Sequence, residues 1–384
     1  SELVERGLAY KSYFTPEDVE RRRAEKGLKP GVVDRSLFRH SPEDLARLEQ
    51  TDAIFAIRFA IPEGKTEFDD LIRGHLAFDH SSIEDLVLIK SDGYPTYNFA
   101  VVVDDVLMEI THVIRGEEHI SNTPKQILIY QAFGWPMPQF AHLPIILAKD
   151  RSKLSKRKGA PSIAEYRSRG YLPEAVLNYL ALLGWAPGED REIVPKAEMT
   201  ELFDLGRITK SGAIYDEEKM RWVNGEYMRR LSARELAAEV SPFAGVEADD
   251  YLAQLCALHV ERAQTLVELA AFVKRFYGQL PEYHPESIQK WLSHDWARGR
   301  LEDAERFLGQ VQPFEPAQIE SAARSYADQK GIKAGEVFHP LRVACFGHTV
   351  GAGLFESLHL LGREKVLARL RYARQHVAPQ NGTS

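Results

Sequence analysis

Cysteine is nearly absent: Cys256 and Cys345 are the only two in 384 residues. Two thiols cannot build a disulfide framework or a thiolate metal cage, so both are expected as small core residues. Also missing is any apolar stretch near the length of a membrane span, and the first ten residues carry no apolar signal segment. Both absences point to a soluble protein of the reducing cytoplasm, away from membranes. An overall positive charge is lacking too, since 49 Lys and Arg face 56 Asp and Glu for a net charge of −7. That balance excludes indiscriminate nucleic-acid binding but leaves room for a local basic face. There is no internal repeat and no low-complexity tract.

The length suffices for two or three domains, each with its own core, and 44% hydrophobic with 27% charged residues is the composition of a globular protein. Residues 1–10 are expected to be the end of a helix stopped near Gly7. Thr15-Pro16 with Asp18, and Ser41-Pro42-Glu43-Asp44, carry N-cap signals for two more helices. Residues 54–59 and 86–89 are strand-like, with a turn at Asp92-Gly93, so residues 1–94 are expected to form a small α+β insert. From Tyr97 the pattern becomes α/β: apolar runs at 99–103 and 110–114, a helix opened by Thr123-Pro124 and stopped near Gly134, then a strand at 143–147. This is the pattern of half a doubly wound sheet. Beyond residue 160 helices follow one another, with Ser162 as a cap and Pro173-Glu174 as an opening, and they continue to a basic helix at the C-terminus.

The densest chemistry lies at Lys153-Leu154-Ser155-Lys156-Arg157-Lys158-Gly159, after the apolar run Leu143-Pro144-Ile145-Ile146-Leu147. From residue 147 to 170, eight Lys or Arg stand against two acids, a local balance of +6. Short basic runs of this kind are often solvated loops or general nucleic-acid patches. A position just past a strand-like run favours an anion site instead, because open α/β sheets bind ligands at the carboxyl ends of their strands. Two lysines flanking a serine suit polyphosphate.

Arg115 follows the run 110–114, so its guanidinium is expected at the carboxyl end of a central strand, beside Gly116, Glu117, Glu118 and His119. There it can grip a carboxylate with two parallel hydrogen bonds, or pair with Glu117 or Glu118 for structure alone, and spacing does not choose between them. On spacing alone Tyr97 is an ordinary strand aromatic, and Asp104 and Asp105 are solvated acids at a strand end.

Several motifs taken together resemble the bacterial-type glutamyl-tRNA synthetases, class I aminoacyl-tRNA synthetases. Lys153-Leu154-Ser155-Lys156-Arg157 is similar to the second signature loop of that class in its glutamyl form. Val113-Ile114-Arg115-Gly116-Glu117-Glu118-His119 with Asn122-Thr123-Pro124 resembles the segment whose arginine binds the amino acid, and the run from Ser91 to Ala100 resembles the one whose tyrosine lines the glutamate pocket. Tyr171-Leu172-Pro173-Glu174-Ala175, Lys219-Met220-Arg221-Trp222-Val223-Asn224-Gly225, Pro340-Leu341-Arg342-Val343-Ala344 and Gly353-Leu354-Phe355-Glu356 extend the likeness along nearly the whole chain.

The resemblance implies a multidomain protein: a Rossmann-like α/β half-sheet carrying an α+β insert, followed by an all-α C-terminal half. Its expected divisions are an insert that contacts the acceptor stem (1–94), the second half of the catalytic domain (95–149), a signature-loop and helical stem-contact domain (150–230), a helical anticodon-binding region (231–378) and a tail (379–384). It implies ligation of glutamate to tRNA(Glu) with ATP as substrate and Mg2+ alongside, by a cytoplasmic monomer. Lys153, Ser155 and Lys156 would be catalytic. Lys153, Lys156, Ile145, Ile146 and Glu118 would bind ATP, and Tyr97 and Arg115 would bind glutamate. The final helix, with Arg363, Lys365, Arg369, Arg371 and Arg374, would touch phosphate or present a solvated face.

Three departures qualify these expectations. Some relatives hold zinc in the insert, but the matching positions here are Ser12, Phe14, Phe38 and His40, and one imidazole cannot close a four-ligand site, so no zinc is expected. Where some relatives place a substrate-contacting Asn, this chain has Val101. The His-Ile-Gly-His signature of the class does not occur in the 384 residues. The amino-acid site as written is therefore expected to be incomplete and the chain alone inactive. A noncatalytic tRNA-binding module, and an enzyme that also charges tRNA(Gln), are the alternative readings.

Overall fold

In the computed structural model, residues 1–29, 31–155 and 161–379 are described; Lys156, with Arg157 and Lys158, lies outside the described residues. The chain divides into two compact units, one made of residues 1–154, 182–190 and 199–215, the other of residues 155–181, 191–198 and from Asp216 onward.

The first unit carries nine strands among its described residues: β1 (Ala9–Ser12), β2 (Ala56–Phe59), β3 (Lys65–Asp70), β4 (Gly74–Asp79), β5 (Leu86–Ile89), β6 (His112–Gly116), β7 (Gln139–Leu143), β8 (Ile146–Leu147) and β9 (Ala213–Ile214). They form a three-stranded sheet in the order β1-β2-β5, a four-stranded sheet β4-β3-β7-β6, and the pair β8-β9. In the four-stranded sheet, β3, β7 and β6 run parallel, and the β6–β7 register sets Arg115 opposite His142. Asp70, Arg115 and His142 thus stand together at the carboxyl ends of three parallel strands, where an open sheet offers its ligand site.

The hairpin β3–β4 extends this sheet from the N-terminal side of residue 94, a contribution that the sequence pattern hides. Thr66, Phe68 and Asp70 face inward and alternate with exposed Lys65, Glu67 and Asp69. Two of the three inward residues are polar, so the period-two signal of a half-buried strand is lost.

Behind the sheet runs the helix Thr123–Phe133, opened by Pro124 and ended by Gly134 in the left-handed conformation at φ 68°. A residue with a Cβ is strained there, and glycine is not. Ile127, Leu128, Ile129 and Tyr130 are buried in a core shared with Phe59, Phe68, Val102 and Phe140. N-cap expectations hold at Thr15 and Ser162, each with a complete capping box, and at Ser41, whose side chain accepts from the Asp44 amide. Both cysteines are free and buried.

Two local expectations are corrected. The run 99–103 lies in the helix Tyr97–Leu107, so Tyr97 is a helix-start aromatic rather than a strand one, and Asp104 and Asp105 are helical. Asp105 accepts a hydrogen bond from the Tyr130 hydroxyl at 3.3 Å, and burial pushes its carboxyl up. The run 143–147 is likewise not one strand: β7 ends at Leu143, and Ile146–Leu147 pairs instead with β9. Pro144 explains the break, since it has no amide to give to a ladder.

In the insert, Ser12 Oγ donates to the Phe38 carbonyl at 3.1 Å, and the Phe14 and His40 rings stack at 3.9 Å. The Tyr13 amide donates to His40 Nε2 at 3.1 Å. The four positions meet in two pairs, a hydrogen bond and a ring stack, and their side chains offer one already engaged imidazole, a set that does not fit zinc.

The second unit is built from helices, including Glu217–Arg230, Ala233–Ala244, Asp250–His259, Leu266–Tyr277, Ala297–Gln310, Pro316–Lys330, Gly335–Phe346, Leu354–Leu361 and Arg363–His376. The cations of its last helix are engaged within the unit, with Arg371 still exposed. Arg363 donates to the Val311 carbonyl, Lys365 to the Phe276 carbonyl at 3.0 Å, and Arg371 pairs with Glu305 at 2.8 Å. Arg374 lies 3.7 Å from Glu302 and 3.5 Å from Glu305. Arg369 is wholly buried and donates to the carbonyls of Gly278, Gln279 and Cys345 at 2.5, 3.1 and 2.6 Å.

Candidate active site

Strand β6 delivers Arg115 to the sheet's carboxyl edge, half-buried. Nε donates to His142 Nε2 at 3.2 Å, and Nη2 donates to Thr123 Oγ1 and to Gln126 Oε1, both at 2.8 Å. Gln126 is held in that orientation because its own Nε2 donates to Asn98 Oδ1 at 3.1 Å. All three acceptors are neutral, and among the described residues no carboxylate forms an ion pair with Arg115. Burial lowers the guanidinium's proton affinity, while nearby Tyr97 and the more distant charge of Asp105 hold it up. The result is a fixed cation without a counter-charge in direct contact among the described residues, an arrangement suited to an anion.

The alternative of a purely structural pair with a neighbouring glutamate does not hold, because both glutamates are engaged elsewhere. Glu117 Oε2 meets Arg73 Nη2 at 2.5 Å, and Glu117 Oε1 accepts from the Ile145 amide at 3.1 Å. Arg73 also donates to the carbonyls of His142 and Lys210 at 3.1 and 2.6 Å. Glu117 therefore pins the segment bearing Ile145 and Ile146, both half-buried, to the same sheet edge.

Glu118 Oε1 accepts from Lys153 Nζ at 3.1 Å, and the pair is exposed, with 43% and 60% of the side chains accessible. The Glu118 carboxyl is held below its usual range by its own backbone amide and then by Lys153. An exposed pair of this kind contributes at most about 1 kcal/mol, so it holds Lys153 close without locking it. The backbone fixes the lysine's root: Lys153 bridges to Leu147, and the Leu154 amide donates to the Ile146 carbonyl at 2.9 Å. Gly116 leaves room for Glu118, whose Oε2 would stand 2.1 Å from a Cβ at that position.

Tyr97 is 53% exposed, with its ring centroid 6.0 Å from that of His119. Ser155 is exposed as well. The structure thus gathers Tyr97, Arg115, Glu118, Lys153, Ile145 and Ile146 around the end of β6. Sequence reasoning missed Asp70 and His142. Asp70 Oδ2 accepts from His142 Nδ1 at 2.6 Å with both side chains fully buried. The one signal available was a histidine inside the otherwise apolar Phe140-Ala141-His142-Leu143.

Comparison with known proteins identifies the family. Residues 1–222 match the family described as tRNA synthetases class I (E and Q), catalytic domain, and residues 235–374 match an anticodon binding domain. The chain is 45% identical to the glutamate–tRNA ligase of Moorella thermoacetica, over 98% of this chain and 80% of that protein. It is 41% identical to the glutamate–tRNA ligase of Aquifex aeolicus, over 96% and 80%. A crystal structure of a glutamate tRNA ligase from Elizabethkingia meningosepticum in complex with its amino acid superposes with a TM-score of 0.86 at 30% identity, covering 98% of this chain and 81% of that one. The fold is that of a class I aminoacyl-tRNA synthetase. Within that class, the chain belongs to the glutamate–tRNA ligase family.

Proposed function

We propose that Arg115 and Tyr97 bind the side-chain carboxylate of glutamate, while Lys153, Ser155 and Lys156 hold the phosphates of ATP and Ile145 and Ile146 border its adenine. The observation that carries this reading is the half-buried Arg115 guanidinium, fixed by three neutral acceptors and beside an exposed phenol. A carboxamide would leave that charge uncompensated, so the site favours glutamate over glutamine.

With its side chain gripped, glutamate presents its α-carboxylate to the α-phosphorus of ATP. An oxygen–phosphorus bond forms as the bond to pyrophosphate breaks, and negative charge grows on the phosphoryl oxygens. Lys153 and Lys156 offset that charge, and Ser155 donates a hydrogen bond. Glu118 keeps Lys153 close until phosphate arrives. Magnesium entering with ATP supplies further charge neutralisation; among the described residues no group of three His, Cys, Asp or Glu is placed to hold a metal. The terminal ribose hydroxyl of tRNA(Glu) then attacks the adenylate carbonyl and AMP leaves.

In this reading the insert (1–94) meets the acceptor stem, residues 95–149 and the signature loop carry the chemistry, the stretch up to residue 230 contacts the stem, and the helices of 231–378 meet the anticodon. The enzyme works as a cytoplasmic monomer. Among the described residues no helix is long and apolar enough to cross a membrane.

The test is Arg115→Leu in the protein as its gene encodes it. Loss of two charge-assisted hydrogen bonds, each about 1.5–3 kcal/mol, raises KM for glutamate by about a hundredfold or more and leaves KM for ATP within a factor of about two. An unchanged glutamate KM would overturn the assignment.

A further inference from the structure

A buried acid–imidazole pair stands behind Arg115, and the reaction as derived so far does not use it. Asp70 Oδ1 accepts the amides of Ile72, Arg73 and His142 at 3.0, 2.8 and 3.2 Å, and Oδ2 meets His142 Nδ1 at 2.6 Å. Burial alone would raise the Asp70 carboxyl, but these amides and the imidazole hold it below its usual range. As a carboxylate it can only accept, so His142 Nδ1 carries the proton. Burial also holds the imidazole below its ordinary value, against the pull of Asp70. Neutral, with hydrogen on Nδ1, the ring keeps a lone pair on Nε2, which lies 3.2 Å from the Arg115 Nε and 3.1 Å from Thr123 Oγ1, itself an acceptor for Arg115 Nη2.

Resting on the assignment of Arg115 to the glutamate carboxylate, we propose that Asp70 and His142 are positioning residues for substrate recognition: Asp70 fixes the tautomer of His142, and His142 then sets the angle at which Arg115 presents its guanidinium to glutamate. Three neighbouring parallel strands supply one residue each, so the device is anchored in one hydrogen-bonded sheet. The neutral imidazole orients Arg115 without quenching its charge. A carboxylate in its place would fix the angle equally well, but would compete with the substrate for the guanidinium.

The discriminating variant is Asp70→Asn. Its amide oxygen can keep the backbone contacts, but its NH2 now faces Nδ1. The ring is driven to carry hydrogen on Nε2, where it meets the Arg115 Nε–H donor to donor. Glutamate KM is expected to rise about tenfold, the scale of one hydrogen bond to a charged group, with KM for ATP and the thermal midpoint nearly unmoved. His142→Gln, which cannot relay the tautomer, should raise glutamate KM by itself. Asp70→Asn in that background should add no further increase, because Asp70 acts through the ring.

Equal losses in glutamate KM, ATP KM and thermal midpoint, adding fully to those of His142→Gln, would make Asp70 merely structural and overturn the proposal. So would an unmoved glutamate KM in Asp70→Asn when Arg115→Leu raises it. If Arg115→Leu itself leaves glutamate KM unmoved, the parent assignment fails first.

Discussion

Arg369→Met offers a sharp test of how the helical unit is held together. Arg369 is fully buried, and its guanidinium is satisfied by three backbone carbonyls, those of Gly278, Gln279 and Cys345. These carbonyls lie just past the helix Leu266–Tyr277 and near the end of the helix Gly335–Phe346, so one side chain from the last helix ties together two chain turns. Methionine fills much of the same space but donates nothing. The buried Cys345 carbonyl then stays without a donor, at about 1–3 kcal/mol, while those of the exposed Gly278 and Gln279 turn to water and lose only the tie. The net expectation is a loss of about 1–3 kcal/mol. With a urea dependence of about 2–3 kcal/mol per molar, the midpoint should fall by roughly 0.5–1 M, followed by far-UV circular dichroism. Arg369→Lys keeps the charge but cannot reach three acceptors with a planar fork, so it should fall between. A midpoint for Arg369→Met within about 0.3 M of the parent would refute the reasoning, since it would mean that desolvating the guanidinium costs as much as its three bonds return.

Two further outcomes concern other parts of the chain. Gly347 sits at φ 77°, and a Cβ there would stand 1.9 Å from the Glu282 carbonyl oxygen, so Gly347→Ala should destabilise the helical unit by about 2–4 kcal/mol in the same urea titration; a change under about 0.5 kcal/mol would contradict that contact. His40, His142, His259, His339 and His348 are all held below their ordinary values, with burial the main cause in each. The unfolded chain therefore takes up protons first as pH falls through about 6.5, and stability should drop between pH 7 and 5. Asp105, raised by burial, works the other way, one group against five. The depressed carboxylates, such as Asp34 at about 2, withdraw their contribution only in more acid solution. An equal or higher urea midpoint at pH 5.5 than at pH 7.5 would show that the histidines do not govern this limb.

Much of the helical architecture was legible because its signals are local. Thr15, Ser41 and Ser162 announce helix starts through one side chain and one amide three residues on, and Gly134 announces a stop through its φ. Where the signal depends on the partner, the sequence misleads. Val101, Val102 and Val103 favour a strand by composition, yet that segment is a helix packed beside Thr123–Phe133, because a short apolar run fits either period until its neighbours are known. The site divides the same way. Tyr97, Arg115 and Lys153 stand in contiguous motifs and could be named. Asp70 and His142 are 72 residues apart and meet only through the parallel register of β3, β7 and β6, for which no spacing rule exists.

The small pair β8–β9 has a consequence for synthesis. Ile146 and Leu147 find their ladder partners in Ala213 and Ile214, and the Tyr215 amide donates to the Leu147 carbonyl at 2.8 Å. While the polypeptide emerges from the ribosome, the root of the Lys153 segment has its short bridge to Lys153 but lacks its parallel partner strand until the stretch ending at Tyr215 has also left the exit tunnel. The nascent chain thus completes this edge of the sheet late, leaving the unpaired strand open for an interval of synthesis.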